Sequence, residues 1–354
     1  MPVAAAFAIP GDITTLTGGY IYERRLLEGL RKLGHAVHHI QLGSGFPDPS
    51  QADMRDAVGK LQAIPADQPL ILDGLVYGSI ATDGLAGVSA PIVGMIHHPL
   101  ALESGLSKER ADHLFRTERA NLALADHVLV PSPHTASILR ADYGVDPRAI
   151  TIARPGTDKP KPSADTQRSD PFLILSVGIQ HPRKGHDILL RALGQLAGLD
   201  WRAVIVGSAY DHDHANELQQ LREELGLQER VRLAGRVEAE ELDSLYRQAS
   251  LFALATRYEG YGIVFDEALA YGLPIVSCDT GAVSETVPAD AGVLVQPEDA
   301  HAFAAALSTL LADEERRSAM VRAALMAGAS LPGWGDTARV ASGVLERVAL
   351  PAAR

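Results

Sequence analysis

Two glutamates stand on either side of a glycine-rich turn in the last third of the chain. Glu259 precedes the turn and Glu267 lies in the short predicted helix after it, with Gly260 and Gly262 between them. Glycines let backbone amides approach a ligand closely, and the N-terminus of a helix attracts phosphate. Ionised carboxylates only accept hydrogen bonds, so they suit sugar hydroxyls. The pattern predicts a site for a phosphorylated sugar. The alternative is an ordinary strand-to-helix turn whose glutamates face solvent.

A basic pair, Arg183 and Lys184, stands at a second strand-to-helix junction. It lies between the predicted strand Phe172–Val177 and a helix predicted to begin near Gly185. A planar guanidinium and a compact ammonium group at this place can meet a diphosphate. The alternative is a solvated basic pair. The preceding strand and the carboxylate motif downstream favour the diphosphate.

Two histidines, His97 and His98, follow the predicted strand Pro91–Ile96. Sites of α/β sheets lie at the carboxyl ends of strands, where a neutral imidazole can donate to a sugar hydroxyl. A structural role for either histidine is the alternative. The segment Asp211–His214 looks like a His/Asp metal cluster, but no further ligands stand near it in the sequence. We therefore interpret it as the N-terminal cap of a helix.

Composition and absent motifs argue against several classes of function. The formal net charge of −12 argues against a nucleic-acid partner, which would favour a basic excess. Neither the loop after the first predicted strand nor the loop after Val177 contains G-x-G-x-x-G, and the Walker A pattern is absent. The hydrolase patterns G-x-S-x-G and H-E-x-x-H are absent as well. A nicotinamide enzyme or a hydrolase is therefore not expected.

The sequence also predicts where the protein resides. The single cysteine, Cys278, forbids an internal disulfide and is consistent with a reducing compartment. The apolar N-terminus lacks a charged region before it, which favours a first strand over Val3–Ile9 rather than a signal peptide. We expect a cytoplasmic protein. The basic helix predicted over Tyr20–Leu33 leaves peripheral contact with the inner face of a membrane open, beside its alternative as an ordinary amphipathic helix.

Strand and helix patterns alternate along the whole chain, which indicates βα units around parallel sheets. The stretch from Lys159 to Pro171 is rich in proline and has almost nothing to bury, which is typical of an interdomain linker. Two βα arrays of similar size flank it. The sequence therefore predicts an α/β protein of two Rossmann-like, doubly wound domains that face an interdomain cleft.

Taken together, these motifs resemble the retaining GT-B glycosyltransferases of the large family 4. Glu259 and Glu267, with seven residues between them, are similar to the E-x7-E motif of that family. Gly18 and Gly19 resemble its N-terminal glycine loop, and His97 resembles the histidine that follows a central strand of its first domain. Further similar segments are Val130–Thr135, Arg154–Asp158, Val177–Leu190, Gly235–Val237 and Trp334.

The resemblance implies a GT-B fold and an activity. Residues 1–160 would form an N-terminal, acceptor-side Rossmann-like domain, to which a helix over 335–354 returns, and residues 161–334 would bind the nucleotide sugar. The implied reaction moves a hexosyl group from a UDP- or GDP-linked sugar to a hydroxyl of a glycan, lipid or small molecule. It would retain the anomeric configuration and need no metal or other cofactor. The alternatives are a nucleotide-sugar epimerase, a phosphorylase, or a catalytically silent nucleotide-sugar-binding subunit.

The resemblance also implies a role for each candidate site residue. Glu267 would accept hydrogen bonds from the ribose, and Glu259 would hold hydroxyls of the transferred sugar. Lys184 would neutralise the leaving diphosphate, and His97 would face the sugar and the acceptor. The remaining donor contacts would come from Gly18, Gly19, Gly178, Val237, Gly260, Tyr261, Gly262 and Ile263.

One position departs from the family pattern. Family members often carry an arginine where this chain has Ile179. Neutralisation of the diphosphate would then lean on Lys184, with Arg183 as the candidate substitute. The predicted catalytic group is His97, Arg183, Lys184 and Glu259.

Overall fold

The computed structural model describes residues 2–161, 168–196 and 198–349 of the 354-residue chain. The chain divides into two compact units. The first unit consists of Met1–Gly156 and Pro332–Arg354, and the second of Thr157–Leu331. The chain thus leaves the first unit once and returns to it for its last segment.

The first unit is built on a six-stranded parallel sheet with the order β2-β1-β3-β4-β5-β6. Its strands are β1 (Ala4–Pro10), β2 (Ala36–Leu42), β3 (Leu70–Asp73), β4 (Ile92–Met95), β5 (His127–Val130) and β6 (Ile150–Ile152). The order of the strands reverses between β1 and β3. The carboxyl ends of these two strands therefore form the switch point at which open α/β sheets bind ligands.

Helices follow the strands of this sheet and start at recognisable caps. Ser50 forms a capping box with Asp53, and Ser132 accepts a hydrogen bond from the Thr135 amide ahead of a proline at the first helical position. These helices are α1 (Gly18–Lys32), α2 (Gln51–Gln62), α3 (Gly74–Tyr77), α4 (Thr82–Ala86), α5 (Lys108–Leu122) and α6 (Pro133–Ala141).

The second unit repeats this architecture with the strand order β12-β11-β10-β7-β8-β9. Its strands are β7 (Phe172–Val177), β8 (Trp201–Val206), β9 (Val231–Gly235), β10 (Leu251–Leu254), β11 (Ile275–Cys278) and β12 (Gly292–Val295). Here the order reverses between β7 and β10, so the switch point lies at the carboxyl ends of these two strands.

Apolar runs in these strands are explained by burial on both faces of the sheet. Successive residues point to opposite faces, so Ile174 joins one buried cluster and Leu175 joins another. The helices that cover the two faces are α7 (His186–Gly194), α8 (His212–Glu224), α9 (Ala239–Gln248), α10 (Ile263–Ala270), α11 (Val283–Thr286), α12 (Ala300–Ala312) and α13 (Glu314–Ser330).

The last helix, α14 (Trp334–Val348), belongs to the first unit and packs on α1. A Cβ at Gly29 of α1 would come within 2.6 Å of the Ala338 Cβ, so the two helices approach closely at this glycine. Buried alanines on α14 allow this approach, and Val344 and Leu345 are fully buried beside them.

Several local predictions can be checked against these elements. The predicted strand Phe172–Val177 is β7, and the Asp211 carboxylate caps α8 by accepting a hydrogen bond of 2.7 Å from the His214 amide. The helix predicted over Tyr20–Leu33 was wrong at its start, because α1 begins at Gly18. Gly18 and Gly19 therefore lie in the first turn of a helix, where backbone N–H groups have no intrahelical partner. Residues 162–167 of the predicted linker lie outside the described residues.

The possibility of membrane contact rested on basic residues of α1. Arg24 donates to the Ile13 carbonyl, Arg31 donates to the Val37 carbonyl, and Arg25 lies over the Trp334 ring. Part of this basic character is therefore engaged by the chain itself. In the part of the chain that the structure describes, no helix combines the length and the apolar character that crossing a membrane requires.

Candidate functional site

The switch point of the second unit brings two loops together. One loop follows β7 and carries Gly178, Arg183 and Lys184, and the other follows β10 and carries Glu259. The Arg257 amide donates to the Arg183 carbonyl at 2.8 Å, which ties one loop to the other. The residues that the sequence placed at two separate junctions thus meet at one edge of the sheet.

The turn after β7 is shaped to bring its basic pair against β10. His181 caps a short 3-10 turn over Pro182–Lys184 by accepting a hydrogen bond from the Arg183 amide at 3.0 Å. Gly185 ends the turn with φ +62°. A Cβ at Gly185 would come within 1.9 Å of the Ala255 carbonyl oxygen, so only glycine permits this approach.

Glu259 lies buried among the two cations and a hydroxyl. Its side chain is 6% exposed, and Lys184 Nζ lies 2.6 Å from Oε1. Arg183 Nη1 lies 3.6 Å from Oε2, and the Thr256 hydroxyl donates to Oε1 at 3.0 Å. Burial alone would raise the pKa of Glu259, but the charges of Lys184 and Arg183 outweigh it and hold the pKa below its usual range. One carboxylate and two cations leave this cluster with a net positive charge.

The glycine turn leads from Glu259 into α10. Gly262 has φ +88°, and a Cβ there would come within 2.5 Å of the Phe265 ring. The buried Tyr261 side chain donates through its hydroxyl to the Asp266 carboxylate at 2.6 Å. A ligand at this turn would therefore meet backbone N–H groups and the N-terminus of α10, which begins at Ile263.

Glu267 stands in a different environment from Glu259. It lies in α10, is partly exposed, and accepts a hydrogen bond of 2.7 Å from the Tyr246 hydroxyl. Partial burial of the side chain, together with the charges of Asp266 and Asp158, raises the pKa of Glu267 to about 7. The two glutamates of the motif are thus held in different protonation equilibria, one firmly ionised and the other titrating near neutral pH.

The other predicted donor contacts are distributed over both units. Val237 follows the edge strand β9, after Gly235 ends that strand with φ +64°, and is half-buried. In the first unit, Gly19 lies against His97, since a Cβ on the glycine would come within 3.5 Å of the imidazole. Gly18, the residue before Gly19, is the first residue of α1.

Several residues around Glu259 were not predicted from the sequence. Gly281 follows β11 with φ +55°, and a Cβ there would come within 2.2 Å of the Glu259 carbonyl oxygen. Arg257 clamps the loop by pairing with Asp187 at 2.9 Å and with Glu298. In the sequence, these residues appear only as a glycine or a charged residue beside the end of a strand. Such a residue does not by itself indicate which distant segment it contacts.

A second group of chemically active side chains was also not predicted from the sequence. Glu23, Asp73 and His97 of the first unit each offer one ligand atom, and these atoms lie within 4.8 Å of one another. Among the described residues this is the group whose side chains could hold a metal ion. Glu23 stands in the middle of a helix and Asp73 at the end of a strand, so neither stood out in the sequence.

Comparison with known proteins identifies the class of this chain. Residues 158–325 match the family model described as "Glycosyl transferases group 1", and residues 18–159 match the model described as "Glycosyltransferase Family 4". A relative from Kineococcus radiotolerans, named D-inositol 3-phosphate glycosyltransferase, is 34% identical over 367 aligned positions, which cover 96% of this chain and 77% of the relative. The alignments with other relatives of that name span 48% to 57% of their own length.

Solved structures share the fold over nearly the whole chain. The sucrose-phosphate synthase of Thermosynechococcus elongatus superposes with a TM-score of 0.84 at 22% identity, covering 97% of this chain and 99% of the other. The Anabaena protein HepE, in complex with UDP and glucose, superposes with a TM-score of 0.76 at 17% identity and covers 97% and 99%. The two sheets and their helices thus have the GT-B fold of glycosyltransferases. The chain belongs to glycosyltransferase family 4.

Proposed function

We propose that this chain is a retaining hexosyltransferase that uses a UDP- or GDP-linked sugar as its donor. The observation that carries the proposal is the buried Glu259, held between Lys184 and Arg183 at the switch point of the second unit. Relatives support the donor class, since one is named GDP-mannose-dependent and a solved structure of the same fold holds UDP and glucose.

The donor is proposed to bind through its diphosphate first. Lys184 and Arg183 supply positive charge, while backbone N–H groups near Gly178, Tyr261, Gly262 and Ile263 supply hydrogen bonds. Glycines in the first turn of α1, Gly18 and Gly19, are proposed to contribute further backbone contacts. Because these groups neutralise the diphosphate, the transfer is proposed to need no metal at the phosphates.

The remaining donor contacts are assigned to the two glutamates and to the loop after β9. Glu267 is proposed to accept hydrogen bonds from the ribose hydroxyls, and Val237 to contact the base through its backbone. Glu259 and the turn at Gly260 are proposed to hold the transferred sugar. When the diphosphate draws Lys184 toward itself, a Glu259 oxygen becomes available to a sugar hydroxyl.

The proposed chemistry is same-face substitution. The bond from the anomeric carbon to the phosphate oxygen breaks as the acceptor oxygen bonds to the same face of the sugar. The proton of the acceptor hydroxyl passes to the leaving phosphate, and Lys184 and Arg183 stabilise the charge that develops there. His97 is proposed to face the sugar and the acceptor.

A donor panel tests the proposed function. UDP-, GDP- and ADP-sugars are incubated with the protein and a panel of candidate hydroxyl acceptors, and release of the nucleoside diphosphate is measured alongside the thermal shift that donor binding produces. We expect release from at least one UDP- or GDP-sugar, and a loss of at least about 100-fold in Glu259→Gln and Lys184→Met. Glu241→Gln, which removes an exposed ion pair with Arg232 in the same unit, serves as the control and should retain activity. Unchanged release in both site variants would refute the assignment.

A further inference from the structure

Three side chains from three elements meet at the switch point of the first unit. Glu23 lies on α1, Asp73 ends β3, and His97 follows β4. Their ligand atoms lie within 4.8 Å of one another. None of the roles proposed above uses Glu23 or Asp73.

The two carboxylates are buried without a cationic side chain to balance them. Glu23 is 1% exposed and Asp73 is 3% exposed. Within the described part of the chain, no lysine or arginine pairs with either of them, and His97 is the only basic group at their side. A pair of buried carboxylates without a balancing cation needs a positive charge from outside the chain or a shared proton.

The spacing between Glu23 and His97 resembles that of two ligands of one cation. Glu23 Oε1 and His97 Nε2 are both buried, have no hydrogen-bond partner, and lie 3.6 Å apart. This distance is longer than an N–H···O hydrogen bond of about 2.7–3.2 Å. Two ligand atoms at about 2.1 Å from a tetrahedral cation are about 3.4 Å apart. A cation between the two atoms would satisfy both.

Surrounding contacts hold Asp73 and His97 in place. The Leu75 amide donates to Asp73 Oδ1 at 2.9 Å, and the Thr135 hydroxyl donates to the His97 carbonyl at 3.3 Å. The Tyr22 ring packs edge-on against the imidazole, with centroids 5.3 Å apart. Such outer contacts orient ligands and strengthen metal binding.

We propose that Glu23, Asp73 and His97 bind one divalent transition-metal cation, with water completing its coordination. A ligand set of one imidazole and two carboxylates suits Zn²⁺, Co²⁺ or Mn²⁺ better than Mg²⁺ or Ca²⁺, which prefer oxygen ligands alone. With a neutral imidazole, a charge of +2 balances the two carboxylates. All three ligands belong to the first unit, whereas the proposed neutralisation of the diphosphate uses Lys184 and Arg183 of the second unit.

Cobalt titration tests the site without any assay of transfer. The full chain is freed of metal with a chelator and titrated with Co²⁺, and visible absorption together with bound metal per chain is measured. We expect one Co²⁺ per chain with a spectrum typical of nitrogen and oxygen ligands. Glu23→Gln and Asp73→Asn should each weaken binding by more than the ~10–100-fold that loss of an outer partner costs. Glu103→Gln, which removes a carboxylate 3.0 Å from the neighbouring His98, should bind as the wild type does.

The outcomes separate the cation from a shared proton. A wild-type chain that retains no Co²⁺ would overturn the proposal whatever the variants do. Equal binding by the wild type and by both variants, with circular dichroism showing that they are folded, would assign the metal to other histidines and also overturn it. If one variant fails to fold, the other variant and the wild-type stoichiometry still decide.

Discussion

At the residue scale, Glu259 owes its ionised state to Lys184 more than to any other neighbour. Lys184→Met would leave a buried carboxylate with Arg183 at 3.6 Å as its remaining cation. We expect this change to lower the free energy of unfolding by up to about 3 kcal/mol, because an incompletely paired buried charge is costly. Adding Glu259→Gln should recover part of the loss. Urea denaturation of the two single variants and the double variant measures the coupling, and strictly additive effects would contradict the account.

Glu267 leads to a prediction about pH. Because its pKa is raised to about 7, the carboxylate that is proposed to accept from the ribose is lost as the pH falls below 7. Nucleotide affinity should therefore fall between pH 8 and pH 6. Tyr246→Phe removes a hydrogen bond that stabilises the ionised form, so it should move the midpoint of this change to higher pH. Calorimetric titration with UDP and GDP measures both effects, and a pH-independent affinity would speak against the ribose contact.

The raised pKa of Glu267 also predicts that this carboxylate favours nucleotide binding at the expense of the stability of the folded chain. A carboxyl group whose folded pKa lies above its unfolded value of 4.5 stabilises the folded chain at low pH and loses that contribution as the pH rises through 7. Glu267→Gln should therefore raise the midpoint of thermal unfolding at pH 8, change it less at pH 6, and weaken nucleotide binding. Thermal unfolding with and without nucleotide distinguishes the two effects, and a variant that is less stable at pH 8 would contradict the sign.

At the scale of elements, the loop after β11 holds Glu259 through Gly281. Gly281→Ala adds strain at φ +55° and drives a Cβ to within 2.2 Å of the Glu259 carbonyl oxygen. Gly226→Ala is a matched control, because Gly226 has φ +66° and no atom within 4 Å of the added Cβ. We expect about 1 kcal/mol of destabilisation in the control, and a larger loss with reduced transfer in Gly281→Ala. Equal effects of the two changes on unfolding would show that the close approach is relieved without cost.

The strands and helices also show which parts of the fold could be predicted from the sequence alone. Apolar runs and caps were enough to place β7, α8 and the helix that carries Glu267, because these signals are local. The contact between Lys184 and Glu259 depends on the pairing of β7 with β10, which local patterns do not specify. The family resemblance, rather than the spacing of residues, suggested that these two junctions belong to one site.

The site residues that were not predicted from the sequence owe their positions to contacts between distant segments of the chain. Gly281 follows β11 and contacts Glu259, which follows the paired strand β10, and Glu23, Asp73 and His97 come from three separate elements. A glutamate in the middle of a helix predicts a solvated face, but Glu23 of α1 is buried beside Asp73, which ends β3, and His97, which follows β4. The start of α1 at Gly18 was missed as well, since glycine is a weak helix former.

At the scale of the whole molecule, the return of α14 makes the first unit discontinuous in sequence. Helix α14 buries Ala338, Ala341 and Val344, and it packs on α1. A chain that ends at residue 331 should therefore lose cooperative unfolding of the first unit. The fragment 157–331 should fold alone and bind UDP or GDP weakly. Circular dichroism and hydrogen exchange measure both expectations, and protection of β1 in the shortened chain at the level of the full chain would contradict the first.

The most direct test of the proposed retaining transfer follows the anomeric proton by NMR. The protein is incubated with UDP- and GDP-hexoses in the presence of candidate hydroxyl acceptors, and the first product formed is observed before its anomers equilibrate. We expect the donor signal to be replaced by that of a product with the same anomeric configuration, and Glu259→Gln to slow this conversion by at least about 100-fold. A product of inverted configuration, or no consumption of any UDP- or GDP-hexose, would contradict it.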